Sequence, residues 1–462
     1  MSQTTRRWIA DKVRSLRDSD ALPFHDILDA GMVNDALTEE GVTFNACTYT
    51  PLVTLSVFLA QVLDPDHSCR AAVARLIVWL ALDGKKTCAP ETAAYCEARQ
   101  RLPLKVIVRL VHQTARGIEG RAADDWLWKS RRVALVDGST VSMPDTAANQ
   151  AAFPQARAQK AGLGFPTARL VAVISLATGV VRDLALGPYS GKETGETALF
   201  RALWGGLEPG EIVLGDRYFA SYFGIAGLSQ RGVDGLFRMH QRRKFDFRRG
   251  RRLGIEDHVV TWTKPGRPAW MDEETYARVP GELAVRELRV TVRQPGFRVN
   301  ELVLATTLTD SVAHPKEEVA ALFLERWNIE LDLRTIKDVL GMDVLRCKTP
   351  EMVEKEVWMH LLAYNLIRGA IAEAAGEHGR QPRQLSFKGA LQTMAAFEGA
   401  LRRATPGERG HLVEEMLKAI ASHRVGDRFG RVEPRANKRR PKPQRYLTEP
   451  RHQARKRLLK AG

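Results

Sequence analysis

Between about residues 130 and 238, short apolar runs alternate with turn signals, and this pattern limits the fold more than any other feature of the chain. Val133 to Val136 stops at Asp137-Gly138-Ser139. Arg169 to Leu176 and Val180 to Leu186 flank Ala177-Thr178-Gly179, a hairpin signature. Glu196 to Leu203 has helical spacing, and Glu211 to Leu214 is another short strand, ending at Gly215-Asp216. Tyr218 to Gln230 then reads as helix and Val233 to Phe237 as strand. Hairpin-linked strands followed by strand–helix alternation predict a mixed α/β sheet.

The flanks have other textures. Residues 1 to 125 read as mostly helical. Arg70 to Leu82 is apolar at helical spacing and is stopped by Asp83-Gly84-Lys85-Lys86. Pro90 suits a first helical residue, opening a segment that runs to Arg101. Two helices joined this way could bind DNA, but their connection of roughly eight residues exceeds the usual 3–4 of a helix-turn-helix. DNA contact and plain packing both stay open. Residues 239 to 308 are rich in β-branched residues and Pro/Gly punctuation, including Val259-Val260-Thr261-Trp262-Thr263, Leu283 to Val292 and Glu301 to Thr307, and predict a β-rich insertion. One long helix is expected from Pro315 past Leu340, then helices over Glu351 to Glu377 and Leu385 to Ile420.

Charge points to a polyanionic partner. The net charge is +16, and the last 39 residues, from Arg424, hold 14 Lys/Arg against Asp427, Glu433 and Glu449. Arg242 to Arg252 holds seven bases and one acid. Clustered charge neutralises neighbouring phosphates and releases counterions. The Pro/Arg/Lys-rich tail from 425 cannot build a core and is expected to be mobile without a partner. Five cysteines, Cys47, Cys69, Cys88, Cys96 and Cys347, contain no CxxC pair, so neither a disulfide framework nor structural zinc is expected. No long apolar run or signal core stands out, which predicts a soluble cytoplasmic, nucleoid-associated protein without membrane contact.

On a wheel of about 100° per residue, Arg326, Glu330 and Lys337 form a strip near Phe323, beside an apolar face of Leu322, Ile329, Leu333, Ile336 and Leu340. If that face packs on a sheet, the strip runs along the sheet's rim. Taken alone, Arg326 and Glu330 at i,i+4 make an ordinary surface ion pair, and an Asp after a strand is commonly a turn or cap residue. Two strand-end aspartates, Asp137 and Asp216, together with a rim Glu330 form a rarer set. Phosphodiester cleavage stabilises charge on the attacking and leaving oxygens, which two Mg²⁺ ions roughly 3.5–4 Å apart can do. Mg²⁺ takes hard oxygen ligands and keeps several waters, so His and Cys are not needed.

These residues resemble those of the bacterial insertion-sequence transposases of family 4, DDE enzymes with an RNase H-like core. That family carries Tyr-x2-Arg-x3-Glu-x6-Lys on the helix with the catalytic Glu; the spacing fits Arg326, Glu330 and Lys337, with Phe323 in place of Tyr. Asp137 in Leu135-Val136-Asp137-Gly138-Ser139 and Asp216 in Leu214-Gly215-Asp216-Arg217-Tyr218-Phe219 resemble its two aspartates. The resemblance spans about 130 to 370. It implies that Asp137, Asp216 and Glu330 are catalytic metal ligands for two Mg²⁺, with Mn²⁺ able to substitute. It also implies double-stranded DNA as partner, a homodimer across two transposon ends, and cut-and-paste cleavage followed by 3′-OH strand transfer, through a hairpin in some members. Arg326, Lys337, Phe323, Arg217 and Tyr218 are the DNA contacts it suggests, with Trp262 or Trp270 for stacking on a flipped base. Both indoles could equally pack a small core.

The expected organisation is a helical DNA-binding region (1–125), an RNase H-like core in two parts (126–238 and 309–376) split by the β-rich insertion (239–308), a helical region (377–424) and the basic tail (425–462). A non-transposing nuclease on the same core, or an inactive DNA-binding regulator, would share much of this pattern. Asp145, eight residues after Asp137, is the competing carboxylate.

Overall fold

The computed structural model describes residues 30–44, 47–82, 84–291, 301–425 and 447–460. The described residues fall into two compact units: a helical unit drawn from 1–130, 174–183 and 330–425, and a sheet unit drawn from 131–173, 184–329 and 426–462.

A nine-stranded sheet has the order β3-β2-β1-β4-β5-β9-β8-β7-β6. Its strands are β1 (Val133–Ser142), β2 (Thr167–Ser175), β3 (Val181–Pro188), β4 (Ile212–Gly215), β5 (Asp234–Arg238), β6 (Arg251–Gly254), β7 (Asp257–Thr263), β8 (Glu282–Thr291) and β9 (Glu301–Thr306). The hairpin expected at Ala177-Thr178-Gly179 is present, closed by Gly179 N–H to Ser175 O at 3.0 Å and Ser175 N–H to Val180 O at 2.9 Å. β1, β4 and β5 pair in parallel. Their residues explain why: Val133 to Val136 and Ile212 to Leu214 are all buried, as central parallel strands covered on both faces must be. Helices α7 (Glu196–Ala202) and α8 (Tyr222–Ser229) supply Phe200 and Ile225 to the core that also holds Val136, Val213 and Phe237. This is a mixed α/β, RNase H-like arrangement. The β-rich stretch after residue 239 extends the same sheet, because β9 pairs antiparallel with β5 and β8, β7 and β6 follow outward in antiparallel order, with α9 (Glu273–Arg278) between β7 and β8 in sequence.

In the helical unit, α1 (Ala30–Glu39), α2 (Pro51–Leu63), α3 (Cys69–Leu82), α4 (Ala93–Arg101) and α5 (Leu104–Glu119) precede the sheet in sequence. α4 starts at Ala93, three residues after Pro90. α12 (Pro350–Glu377) is the unit's axis, with Val357, Leu361, Leu362, Tyr364, Leu366 and Ile367 fully buried.

Three expected elements differ. The helix expected past Pro315 is α10 (Lys316–Leu324), a break, α11 (Trp327–Arg334) and a π-helical turn (Thr335–Val339). The helix expected over 385–420 is α13 (Phe387–Arg403) and α14 (Pro406–Ser422). Pro406 cannot continue a helix, and Thr405 with Glu408 forms a capping box that starts a new one. Of the tail expected to be mobile, 426–446 lies outside the described residues, but α15 (Arg451–Lys460) is a docked helix. Arg451 pairs with Asp145 at 2.9 Å and lies 3.9 Å over the Phe165 ring, while Ala454 is buried. Here, as in α6 (Ala147–Ala152) nearby, local polar contacts hold the chain: Gln150 also donates to Asp145, at 2.7 Å.

His360 on α12 is buried, with Nδ1 2.8 Å from the Glu356 carbonyl, and burial holds its pKa below the usual imidazole value. The unfolded chain binds this proton near pH 6.5 and the folded chain does not, so stability is lost as pH falls through about 6.5. The melting temperature should drop between pH 7 and 5.5, and drop less steeply in His360→Gln. Identical slopes in thermal melts of the two proteins would remove His360 from this account.

Candidate active site

The parallel register of β1 and β4 builds the site. Val133 pairs with Ile212, Ala134 with Val213, Leu135 with Leu214 and Val136 with Gly215. The next residue on each strand is an aspartate. Asp137 and Asp216 therefore each follow the last paired rung of two neighbouring strands, which run about 4.8 Å apart. Asp216 follows the last residue of β4, as expected. Asp137 does not end its strand: β1 runs on to Ser142 and only its pairing with β4 stops at this rung. Both carboxylates are half-buried.

The adjacent glycines have a packing role, not the sharp-turn role their sequence context suggests. Gly215 is fully buried in β4, and a Cβ there would lie 2.8 Å from Val136 Cγ1 and 3.0 to 3.1 Å from the Phe219 and Phe237 rings. A Cβ on Gly138 would lie 2.6 Å from Cδ of Glu196, at the start of α7. Glu196 is thus a carboxylate packed against Gly138, which the sequence pattern did not single out. Its only sequence signal is its place at the start of the predicted helix.

Asp137 accepts a hydrogen bond from the Gly138 amide at 2.8 Å, and its other oxygen lies 3.7 Å from Nη1 of Arg326. Arg326 occupies the break between α10 and α11, where the Arg326 N–H bonds to Phe323 O at 3.1 Å in place of a regular helical bond. The guanidinium thus faces the first aspartate. Glu330 is half-exposed on α11 and belongs to the helical unit. The apolar face beside it is buried as expected at Leu322, Ile329, Leu333, Ile336 and Leu340. Lys337, on the π-helical turn, pairs with Asp343 at 3.3 Å. Trp327, next to Arg326, is 45% exposed. A wheel drawn through an unbroken helix gave this residue no role.

Arg217 and Tyr218 form the turn after Asp216. Arg217 donates to Gln241 at 2.8 Å and sits over Tyr218, which is 54% exposed. Phe323 and Trp262, expected as DNA contacts, are instead core residues, 5% and 4% exposed. Trp262 Nε1–H donates to Glu287 at 2.8 Å, and Arg243 covers its ring at 3.6 Å. Neither has an open face for a base. Trp270 is half-buried at a small cleft with Phe200, Trp204 and Phe219, and Arg201 lies 3.7 Å over its ring. Asp145, the competing carboxylate, is committed to Arg451 and Gln150.

Among the described residues, no three His, Cys, Asp or Glu side chains converge as a ready metal cage. The Asp137–Asp216 pair is an all-oxygen donor set, which fits a hard divalent cation that retains water and borrows phosphate oxygens. Such a carboxylate pair after the last rung of the β1–β4 register of an RNase H-like sheet, in a strongly basic chain, suits metal-dependent chemistry on nucleic-acid phosphodiesters.

Residues 128–366 match the transposase DDE domain family, and the chain belongs to it. It is a DDE transposase of an insertion sequence, an enzyme that binds DNA and works with a divalent metal. It is 29% identical over 435 residues to the transposase InsG for insertion sequence element IS4 of Escherichia coli (strain K12), covering 92% of this chain and 93% of that protein. A putative transposase InsZ of the same organism is 28% identical over 145 residues, covering 31% of this chain and 47% of that one. A cryo-EM structure of a piggyBac transposase synaptic complex with hairpin DNA aligns over 89% of this chain and 85% of that one, with a TM-score of 0.42 and 8% identity, too distant to carry a functional argument. Among the described residues, no helix is long and apolar enough to cross a membrane.

Gly215→Ala should destabilise the protein by about 1–3 kcal/mol, because its Cβ meets packed core on three sides. Gly138→Ala should cost less, because only the end of the Glu196 side chain must move. Urea unfolding of the two variants checks the order, and a Gly138→Ala cost equal to or above that of Gly215→Ala would contradict it.

Proposed function

We propose that Asp137, Asp216 and Glu330 act as one catalytic set that cleaves transposon-end DNA with two Mg²⁺ ions, Mn²⁺ substituting, and then joins the freed 3′ ends to target DNA. The observation that carries this reading is the β1–β4 register, which sets Asp137 beside Asp216. Family membership and the Arg326/Glu330/Lys337 spacing support Glu330 as the third carboxylate. When bound, the metal ions supply charge at the attacking and leaving oxygens. The chain's own residues bind and orient. Asp137 and Asp216 offer oxygens from a rigid strand pair. Arg326, already facing Asp137, can swing to a phosphate once that carboxylate is otherwise neutralised. Lys337, Arg217 and Tyr218 are the remaining contacts we assign to DNA near the scissile bond, and Trp270 is the residue we assign to base stacking.

We also propose that two copies act together across the two ends, with residues 1–125 and the basic tail adding affinity. Of these, 1–29, 45–46, 83, 426–446 and 461–462 lie outside the described residues. An inactive regulator would leave the three carboxylates dispensable.

On end DNA with Mg²⁺, wild type should nick, while Asp137→Asn and Glu330→Gln should bind but lose cleavage by several orders of magnitude. Normal cutting by either variant would refute its assignment. Truncation after residue 424 should weaken binding to all duplexes alike and flatten the salt dependence of the affinity. An unchanged slope in a salt titration would assign the tail another role. Trp270→Ala should reduce end processing and destabilise less than Trp262→Ala. Trp262→Ala should chiefly destabilise, by about 3–5 kcal/mol, and the reverse pattern would exchange their roles.

A further inference from the structure

Two residues beyond Glu330, on the opposite side of α11, lies an acid that the reaction does not use. Asp332 is 1% exposed. Its Oδ1 accepts from Arg368 Nη2 at 2.6 Å and from the Tyr364 hydroxyl at 3.0 Å, and its Oδ2 accepts from Arg383 Nη1 at 2.6 Å. The arginines are themselves anchored. Arg383 donates to the Ser175 and Leu176 carbonyls at 2.7 and 2.8 Å, in the β2–β3 turn. Arg368 Nε donates to the Tyr364 oxygen at 2.9 Å, and Tyr364 stacks on Phe387 with centroids 5.0 Å apart. The turn leaves room for this: Gly179 has φ +78°, and a Cβ there would lie 2.8 Å from Arg368 Cζ. Asn365 brackets the strand just after the turn, accepting from Val181 N–H and donating to Val181 O, both at 2.8 Å.

A buried ion cluster is a weak device for stability, since apolar replacements of similar shape often do as well. It is a strong device for geometry, because a carboxylate held at each oxygen by a separately anchored guanidinium has one orientation. α11 needs that help. It is only eight residues long, with a break before it and a π-helical turn after it. Its own hydrogen-bond ladder sets its rotation weakly, yet a metal ligand must be held to roughly 0.5 Å and 10–20°. At about 100° per residue, Asp332 faces some 200° away from Glu330, so fixing one side chain inward fixes the other outward.

We propose that Asp332, clamped by Arg368 and Arg383, is a positioning residue that sets the rotation of the Glu330 helix and so the metal affinity and cleavage rate of the site. This rests on the reading of Glu330 as a metal carboxylate.

The test compares wild type, Asp332→Asn, Arg383→Lys and Glu330→Gln in full-length protein. Thermal melting and end-DNA affinity are measured first. Mn²⁺ binding to the complex with uncleavable end DNA is then followed by electron paramagnetic resonance, and single-turnover cleavage is followed across a Mg²⁺ titration. Asp332→Asn should bind end DNA within about twofold of wild type, while its metal affinity and its cleavage rate per bound complex fall roughly 10–100-fold, the range seen when partners of metal ligands are lost. Arg383→Lys keeps the charge but loses the fork and should fall in between. If Asp332→Asn does not fold, Arg383→Lys carries the test, because Arg383 is the more exposed of the two clamps. A folded variant with wild-type Mn²⁺ affinity and wild-type rate per bound complex would overturn the proposal, even if its melting temperature fell. Normal cleavage by Glu330→Gln would instead overturn the reading of Glu330 and take this proposal with it.

Discussion

The parallel pairing of β1 with β4 is the constraint on which the site depends. A slip of one residue would face one aspartate away from the other, because side chains alternate along a strand. Apolar residues hold the register on both strands, all of them buried, and so does the close fit of Gly215 against Val136, Phe219 and Phe237. The residues that set this rung are therefore not the carboxylates proposed to do the chemistry. The core specifies the rung, and the next residue on each strand inherits its neighbour.

Much of this was legible in the sequence because it depends on local pattern. The short apolar runs became β1, β2, β3, β4 and β5, and the turn at Ala177-Thr178-Gly179 closed as predicted. The apolar face of the helix after Pro315 was buried at every named position. The misreadings share a cause: each involved a long-range partner that periodicity does not contain. Asp137 looked like a strand end, but β1 continues past the rung where β4 stops. For Trp262 the sequence left base stacking and core packing equally open, and Glu287 and Arg243 enclose it. The end of the tail looked mobile, but Asp145 and Phe165 receive Arg451 from about 300 residues away, a separation of 306 for the ion pair.

The basic segments now have different physical characters. Arg242, Lys244, Arg248, Arg249, Arg251 and Arg252 are exposed, while Arg243 is spent on Trp262. The turn that carries the first four, just before β6, is anchored by Phe247 against His258 and by Gly250, at φ +77°, where a Cβ would lie 2.2 Å from the Val259 carbonyl. In α15, Arg451 is consumed in docking, while Arg455, Lys456 and Lys460 remain exposed. Charge counted from sequence overstates what is available to phosphate. The structure separates the cations that hold the protein together from those that face outward.

The central claim is the proposal that Asp137 and Asp216 hold the metal, and replacing one oxygen donor with sulfur tests it most directly. Thiolate is a soft ligand that suits Mg²⁺ poorly and Mn²⁺ better. Single-turnover cleavage of end DNA by Asp216→Cys should be abolished in Mg²⁺ and partly restored in Mn²⁺, with wild type active in both. Cleavage by Asp216→Cys in Mg²⁺ at the wild-type rate would contradict the account.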